Sequence, residues 1–184
     1  MSNPDKRIVI LTEEELRKTF SRLTFEIIEK TSDLDNLLLV GIPTRGVHLA
    51  EVLRKEMFSK TGVNVNKGII DPTFYRDDQN RVGTRLMEAT DIPTSIEKKD
   101  IVLVDDVIYT GRTIRAAMDA LLSWGRPKSV MLLVMIDRGH RELPIQPDFC
   151  GRKVPTSKKE TIYLCLKEVD GEEGIFLDKK RLKD

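Results

Sequence analysis

Only two cysteines, Cys150 and Cys165, occur in the 184 residues. They form neither a disulfide framework nor a recognisable metal pattern, so both are expected as reduced thiols. No apolar run approaches the ~20 residues that a membrane-spanning helix needs, and the N-terminus carries no apolar signal core. A cytoplasmic protein without a membrane partner is the expectation. An excess of either charge is also missing: 31 Lys and Arg stand against 30 Asp and Glu, a formal net charge of +1. Any affinity for nucleic acid must then come from local clustering rather than from a globally basic chain. Internal repeats and low-complexity segments are absent too.

What is present is an ordinary globular composition, 40% hydrophobic and 33% charged. The chain reads as a single domain over 1–184, long enough to bury roughly 70% of its unfolded surface. Thr12-Glu13-Glu14-Glu15 is a capping box. The helix behind it should run to about Lys30 with Leu16, Phe20, Leu23 and Ile27 inward. Strands are predicted at Leu37–Ile42, Val63–Ile70, Ile101–Val104, Val130–Ile136 and Thr161–Leu166. Helices are predicted at Val47–Lys60 and from Ile114, the latter through Ala117, Met118, Leu121 and Leu122 to a stop at Gly125-Arg126-Pro127. Strands alternating with helices predict a parallel α/β sheet with ligands at the carboxyl ends of its strands. Polar residues without a period, about 75–91, are long for a connection in a compact domain and point to a segment that is either disordered or functional. Gly171–Asp184 is charged and glycine-punctuated, and reads as a loosely held tail.

The segment Ile101–Thr113, IVLVDDVIYTGRT, carries the most chemistry. A β-branched strand runs into two adjacent carboxylates, and Thr-Gly-Arg-Thr then opens a helix. Backbone N–H groups and the helix dipole favour a phosphate at that turn, with Gly111 allowing close approach and Thr110 and Thr113 offering hydroxyls. Asp105 and Asp106 would repel the phosphate. They suit ribose hydroxyls and a Mg²⁺ shared with pyrophosphate oxygens. Each dipeptide alone is also common punctuation at a strand end or helix cap. A phosphorelay receiver likewise places adjacent acids at a strand end, but near its N-terminus and with a separate phospho-accepting Asp, which the central position of this pair disfavours. Gly41-Ile42-Pro43-Thr44-Arg45-Gly46 leads from another strand to another helix, with Gly46 free to take unusual backbone angles and Arg45 offering a donor fork.

The Ile101–Thr113 run resembles the phosphoribosyl-diphosphate (PRPP) signature of type I phosphoribosyltransferases over its whole length. The resemblance implies that fold, with a small hood and a flexible lid, and Mg²⁺ bound with PRPP but no organic cofactor. It implies Asp105 and Asp106 at the ribose hydroxyls and metal, and Tyr109, Thr110, Gly111, Arg112 and Thr113 around the 5′-phosphate. Thr44, Arg45 and Gly46 would form the pyrophosphate loop, joined by Tyr75 and Arg76 at the lid root. Purine-using relatives carry an acid where Tyr109 stands, and orotate enzymes a lid lysine that Tyr75–Thr90 lacks. Uracil is therefore the expected acceptor, covered by Ile108 and met by Asp137, Arg138 and Gly139.

Arg-Gly-His-Arg-Glu-Leu-Pro-Ile, Val154-Pro155-Thr156-Ser157 and the Thr73–Asp78 segment TFYRDD narrow the resemblance. Together they are similar to the bifunctional pyrimidine-operon attenuation regulators that are also uracil phosphoribosyltransferases, from Ile8 to Leu166. That family implies a homodimer or higher oligomer, UMP as product and effector, and structured leader RNA of pyrimidine genes as partner. Ser21, Arg22, His140, Arg141, Arg152 and Thr156 match its RNA-contacting pattern. Phe25 stands where histidine is expected and Gln146 where arginine is expected, so lost phosphate contacts would weaken RNA affinity and its salt dependence. A pocket kept only as a nucleotide sensor, without turnover, would need the same residues.

Overall fold

The computed structural model describes residues 7–77 and 89–179. Five strands, β2 (Leu37–Gly41), β3 (Asn66–Ile69), β4 (Asp100–Ile108), β5 (Ser129–Asp137) and β6 (Phe149–Lys153), form a sheet in the order β3-β2-β4-β5-β6. Every pairing in it is parallel. Helices α1 (Glu13–Lys30) and α2 (Arg45–Thr61) cover one face, and α3 (Arg112–Leu122) covers the other. Along β2 and the first part of β4 every residue is buried, and successive side chains pack against opposite faces, as a strand covered on both sides requires. Leu37, Leu39, Val102 and Val104 pack with α1 and α2, and Leu38, Val40, Ile101 and Leu103 with α3.

The direction of the crossovers sets the position of the site. From β2 the chain crosses by α2 outward to β3, and from β4 it crosses by α3 the opposite way to β5. The connections leaving the adjacent strands β2 and β4 therefore diverge, opening a crevice at their carboxyl ends. Beyond Val104, which pairs with Gly41, β4 has lost β2 as a neighbour but continues beside β5 as far as Ile108 paired with Asp137. The acidic pair thus lies inside the strand, within its last four residues, and faces that crevice edge. The expected strand stops at Val104 because the carboxylates interrupt the apolar run.

A second, antiparallel sheet, β1 (Arg7–Leu11), β7 (Glu160–Cys165) and β8 (Gly174–Lys179), has the order β1-β8-β7. A four-residue helix, α4 (Lys167–Asp170), joins β7 to β8 and ends at Gly171 in the left-handed region, φ 77°. This sheet is the hood that the resemblance implies. It corrects the reading of 171–184 as a tail, because Gly174–Lys179 is a strand whose Ile175 is fully buried and pairs with Leu11 and Leu164. The remaining tail residues, 180–184, lie outside the described residues, as do 78–88 of the expected lid.

Helix α1 carries its expected cap. Glu15 N donates to Thr12 Oγ1 and Thr12 N donates to Glu15 Oε2, and Leu16, Phe20, Leu23 and Ile27 are all buried. In α3 the inward face is Ile114, Ala116, Ala117, Ala120 and Leu121. Leu122, expected inside, is half exposed because the helix ends there.

Candidate active site

The two strand-to-helix turns meet beneath the acidic pair. A Cβ on Gly46 would sit 2.2 Å from the Val104 carbonyl oxygen and 3.3 Å from Asp105 Cα, so only glycine lets the start of α2 touch β4 here. Thr44 caps α2 after a cis Pro43–Thr44 peptide. Asp105 is buried and accepts from Asp106 N at 3.0 Å, and Asp106 Oδ1 accepts from Val107 N at 2.7 Å. These local bonds tie down one oxygen of each carboxylate. Burial pushes the Asp106 carboxyl above its ordinary range, against the pull of Val107 N–H and of Arg45.

Past β4, Gly111 takes φ 91° as the cap of α3. Arg112 N donates to Thr110 Oγ1 at 3.3 Å. Asp105, Val107, Ile108, the turn Tyr109–Thr113 and Ile114 line one cavity of about 390 Å³ together with Arg76 and Glu142. Arg76 Nη1 donates to Thr113 Oγ1 at 2.7 Å, so the lid root is at the cradle. Tyr75 is not: its hydroxyl meets Ser123 Oγ at 3.3 Å, at the far end of α3. The Arg112 guanidinium is shared between Glu142 and Asp77, each at 2.7 Å, which leaves its backbone at the turn. Arg45 turns Nη1 and Nη2 to a two-pronged ion pair with Asp170 of α4, while its charge still acts on Asp106.

The turn after β5 is zipped to the cradle. Glu142 N and Leu143 N donate to Thr110 O, and Arg141 Nη1 donates to Tyr109 O at 2.8 Å. Asp137, Arg138, Gly139 and His140 line a second cavity of about 350 Å³ with Lys153, Pro155 and Thr156. It adjoins the first, since Ile108 and Asp137 are register partners. The N–H groups expected to meet a base are engaged within the chain: Arg138 N with Ile108 O at 3.2 Å, and Gly139 N with Asp137 Oδ1 at 2.9 Å. The Arg138 side chain is buried and fastens the 156–160 loop, donating to Thr156 Oγ1, Ser157 O and Glu160 O.

The residues matched to RNA contact gather along α1, the edge strand β6 and the Thr156 loop, with one exception. Arg22 Nη2 donates to Gly151 O at 2.6 Å, Arg152 Nη1 to Ile10 O at 2.6 Å, and Lys60 Nζ to Ser21 Oγ at 3.1 Å. His140 Nε2 meets Thr156 O. Arg141 is an interior strut instead, its side chain 14% exposed and bound to Asp137, Tyr109 O and Ile145 O. All four basic residues of α1 are paired with acids: Arg17 with Glu13, Lys18 with Glu14, Arg22 with Glu26 and Lys30 with Asp148. Phe25 is half exposed, with Lys60 Nζ 4.7 Å from its ring centre.

A family profile described as Phosphoribosyl transferase domain matches residues 10–168. The chain belongs to this phosphoribosyltransferase family. Within it, the chain is 52% identical to the bifunctional protein PyrR of Microcystis aeruginosa over 172 residues, covering 94% of this chain and 97% of that one. It is 48% identical to the bifunctional protein PyrR of Limosilactobacillus fermentum over 169 residues, covering 90% and 94%. These identities make it a phosphoribosyltransferase of the PyrR group. In fold it is like a hypoxanthine phosphoribosyltransferase from Staphylococcus aureus, with a TM-score of 0.72 at 20% identity over 97% and 98% of the two chains. That likeness extends to the phosphoribosyltransferase sheet and hood, not to the choice of base.

Sequence reasoning missed Asp77, Glu142 and Asp170, the carboxylates that engage Arg112 and Arg45. Nothing local marks them, because each meets its partner across 30 to 125 positions. Among the described residues no cluster of three or more potential metal ligands occurs, and no helix is long and apolar enough to cross a membrane.

Proposed function

We propose that this chain transfers the phosphoribosyl group of PRPP to uracil, giving UMP and pyrophosphate, and that it binds structured leader RNA of pyrimidine genes more tightly with UMP. The observation that carries the enzymatic half is the single cavity in which Asp105 and the Tyr109–Thr113 turn face each other under Arg76. A ribose 5-phosphate fits this polarity: phosphate on backbone N–H groups at the start of α3, hydroxyl donors on the acidic pair. Pyrophosphate would lie toward Arg45 and Arg76. Uracil would lie over Ile108 toward the 137–139 turn, with carbonyls there and a small movement of the Gly139 N–H supplying its hydrogen bonds.

Catalysis in this arrangement is positional and electrostatic, with no covalent nucleophile on the protein. Asp105 and Asp106 fix the ribose ring and favour positive charge at the anomeric carbon. The arginines receive the charge that develops on the departing group, and a closed cavity keeps out water that would hydrolyse the donor. Two adjacent carboxylates, with no cluster of three or more potential metal ligands among the described residues, fit an ion completed by water and substrate oxygens, as Mg²⁺ prefers, rather than one caged by protein alone. Bound Mg²⁺ would neutralise diphosphate charge.

The same chain is proposed to act in the cytoplasm as a homodimer or larger oligomer. A second reading, an enzyme with weakened RNA binding, is favoured by the α1 surface, where five acids and four bases leave no positive face. Binding of the protein to the leader RNA of its own pyrimidine genes, with and without UMP across a salt series, separates the two. Tighter, salt-sensitive binding with UMP supports the regulator. Binding no better than to an unrelated structured RNA supports the enzyme alone.

A further inference from the structure

Arg45 is the residue of the proposed pyrophosphate loop best suited to a diphosphate, yet both of its terminal nitrogens are engaged elsewhere. Nη2 donates to Asp170 Oδ1 at 2.7 Å and Nη1 donates to Asp170 Oδ2. Asp170 Oδ2 also accepts Leu166 N at 2.8 Å, so the carboxylate is held in place by the chain entering α4. Both side chains are about three-quarters buried, at 26% and 22% exposure, where a bidentate pair is little screened. The pair holds the Arg45 guanidinium more firmly protonated and the Asp170 carboxyl below its ordinary range.

The fixed backbone of Arg45 makes this contact consequential. Gly46 packs so close to β4 that a Cβ there would lie 2.2 Å from Val104 O, which seats the loop under Asp105 and leaves the long Arg45 side chain as the part that can turn between the hood and the crevice. The Nη1–Nη2 edge of a guanidinium presents two parallel donors to one planar anion at a time, and Asp170 holds that edge of Arg45. A carboxylate on the hood and a phosphate in the crevice are then rivals for the same edge.

We propose that Asp170 is a positioning residue that competes with pyrophosphate for Arg45. It holds the guanidinium on the hood in the free protein and retakes it as the diphosphate product leaves. The inference rests on the reading of the Thr44–Gly46 turn as the pyrophosphate loop. Competition of this kind weakens donor and product alike, and gives the product a route out of a site otherwise built to hold it.

The test is calorimetric titration of inorganic pyrophosphate with Mg²⁺ into the full chain, beside steady-state kinetics. Asp170→Asn keeps an oxygen for Leu166 N–H but removes the charge. Pyrophosphate should bind on the order of tenfold more tightly to it, the worth of one charge-assisted pair. KM for PRPP should fall and product inhibition strengthen, whereas mere loosening of the hood would raise KM. Asp170→Glu should restore behaviour near that of the parent, and the gain should vanish when Arg45→Ala is added. Asp170→Ser serves the same comparison if circular dichroism shows the Asn variant unfolded. Unchanged or weaker pyrophosphate binding by a folded neutral variant overturns the competition while leaving the site assignment intact. A parent protein that binds no pyrophosphate overturns both.

Discussion

The guanidinium of Arg138 lies over the ring of Tyr109, 4.2 Å from its centre, while its Nε donates to Thr156 Oγ1 at 3.0 Å. One buried side chain thereby joins the phosphate turn to the loop that carries a proposed RNA contact. His140 repeats the connection, edge-on to Tyr109 at 5.6 Å and bonded to Thr156 O. An occupant that moves Tyr109 must move these contacts or strain them.

Replacing Arg138 by Lys keeps the charge and loses the fork that reaches Thr156, Ser157 and Glu160 together. The expected cost is about 1–3 kcal/mol, since the charge-assisted hydrogen bonds of a buried guanidinium are lost. Urea denaturation should show a lower midpoint at unchanged slope. If UMP enhances RNA binding, that enhancement should shrink in this variant.

Gly46→Ala places a methyl group against the Val104 carbonyl, a contact of 2.2 Å before any movement. Backbone cannot rotate away as a side chain can, so the start of α2 must shift. Overpacking of this kind costs about 1–3 kcal/mol. Since the shift carries Thr44 and Arg45 with it, KM for PRPP should rise more steeply than the melting temperature falls.

Asp106 gives a prediction of opposite sign for stability and activity. Burial raises its carboxyl pKa in the folded chain, so the fold prefers the neutral form. Above that raised pKa the ionised carboxylate opposes folding, and below the unfolded value the penalty disappears. Asp106→Asn should therefore melt higher than the parent at neutral pH while losing most UMP formation, the trade expected of a group kept for function. Parallel melting and turnover measurements decide it.

Much of this architecture is legible locally. Leu16, Phe20, Leu23 and Ile27 share a helical face in the sequence and are buried in the structure. The run Ile101–Val104 marks the central strand, and the order of carboxylates, Thr110 and Gly111 marks the cradle. What escapes is set by distant partners. Strand β8 is a short apolar run among charges, and its pairing with β7 and with β1 at the other end of the chain makes it a strand. Strand β6 carries Gly151, Arg152 and Lys153, which locally look like a loop, but a Cβ on Gly151 would reach 2.4 Å from Met135 O. Arg141 reads as a surface cation because spacing shows charge, not the four acceptors that surround it.

The most direct test is turnover of radiolabelled uracil with PRPP and Mg²⁺, set beside hypoxanthine and orotate, for the parent and for Asp105→Asn. UMP should form from uracil alone, and the Asn variant, folded by circular dichroism, should lose nearly all of it. Turnover that survives in the Asn variant, or a preference for either other base, would contradict the assignment.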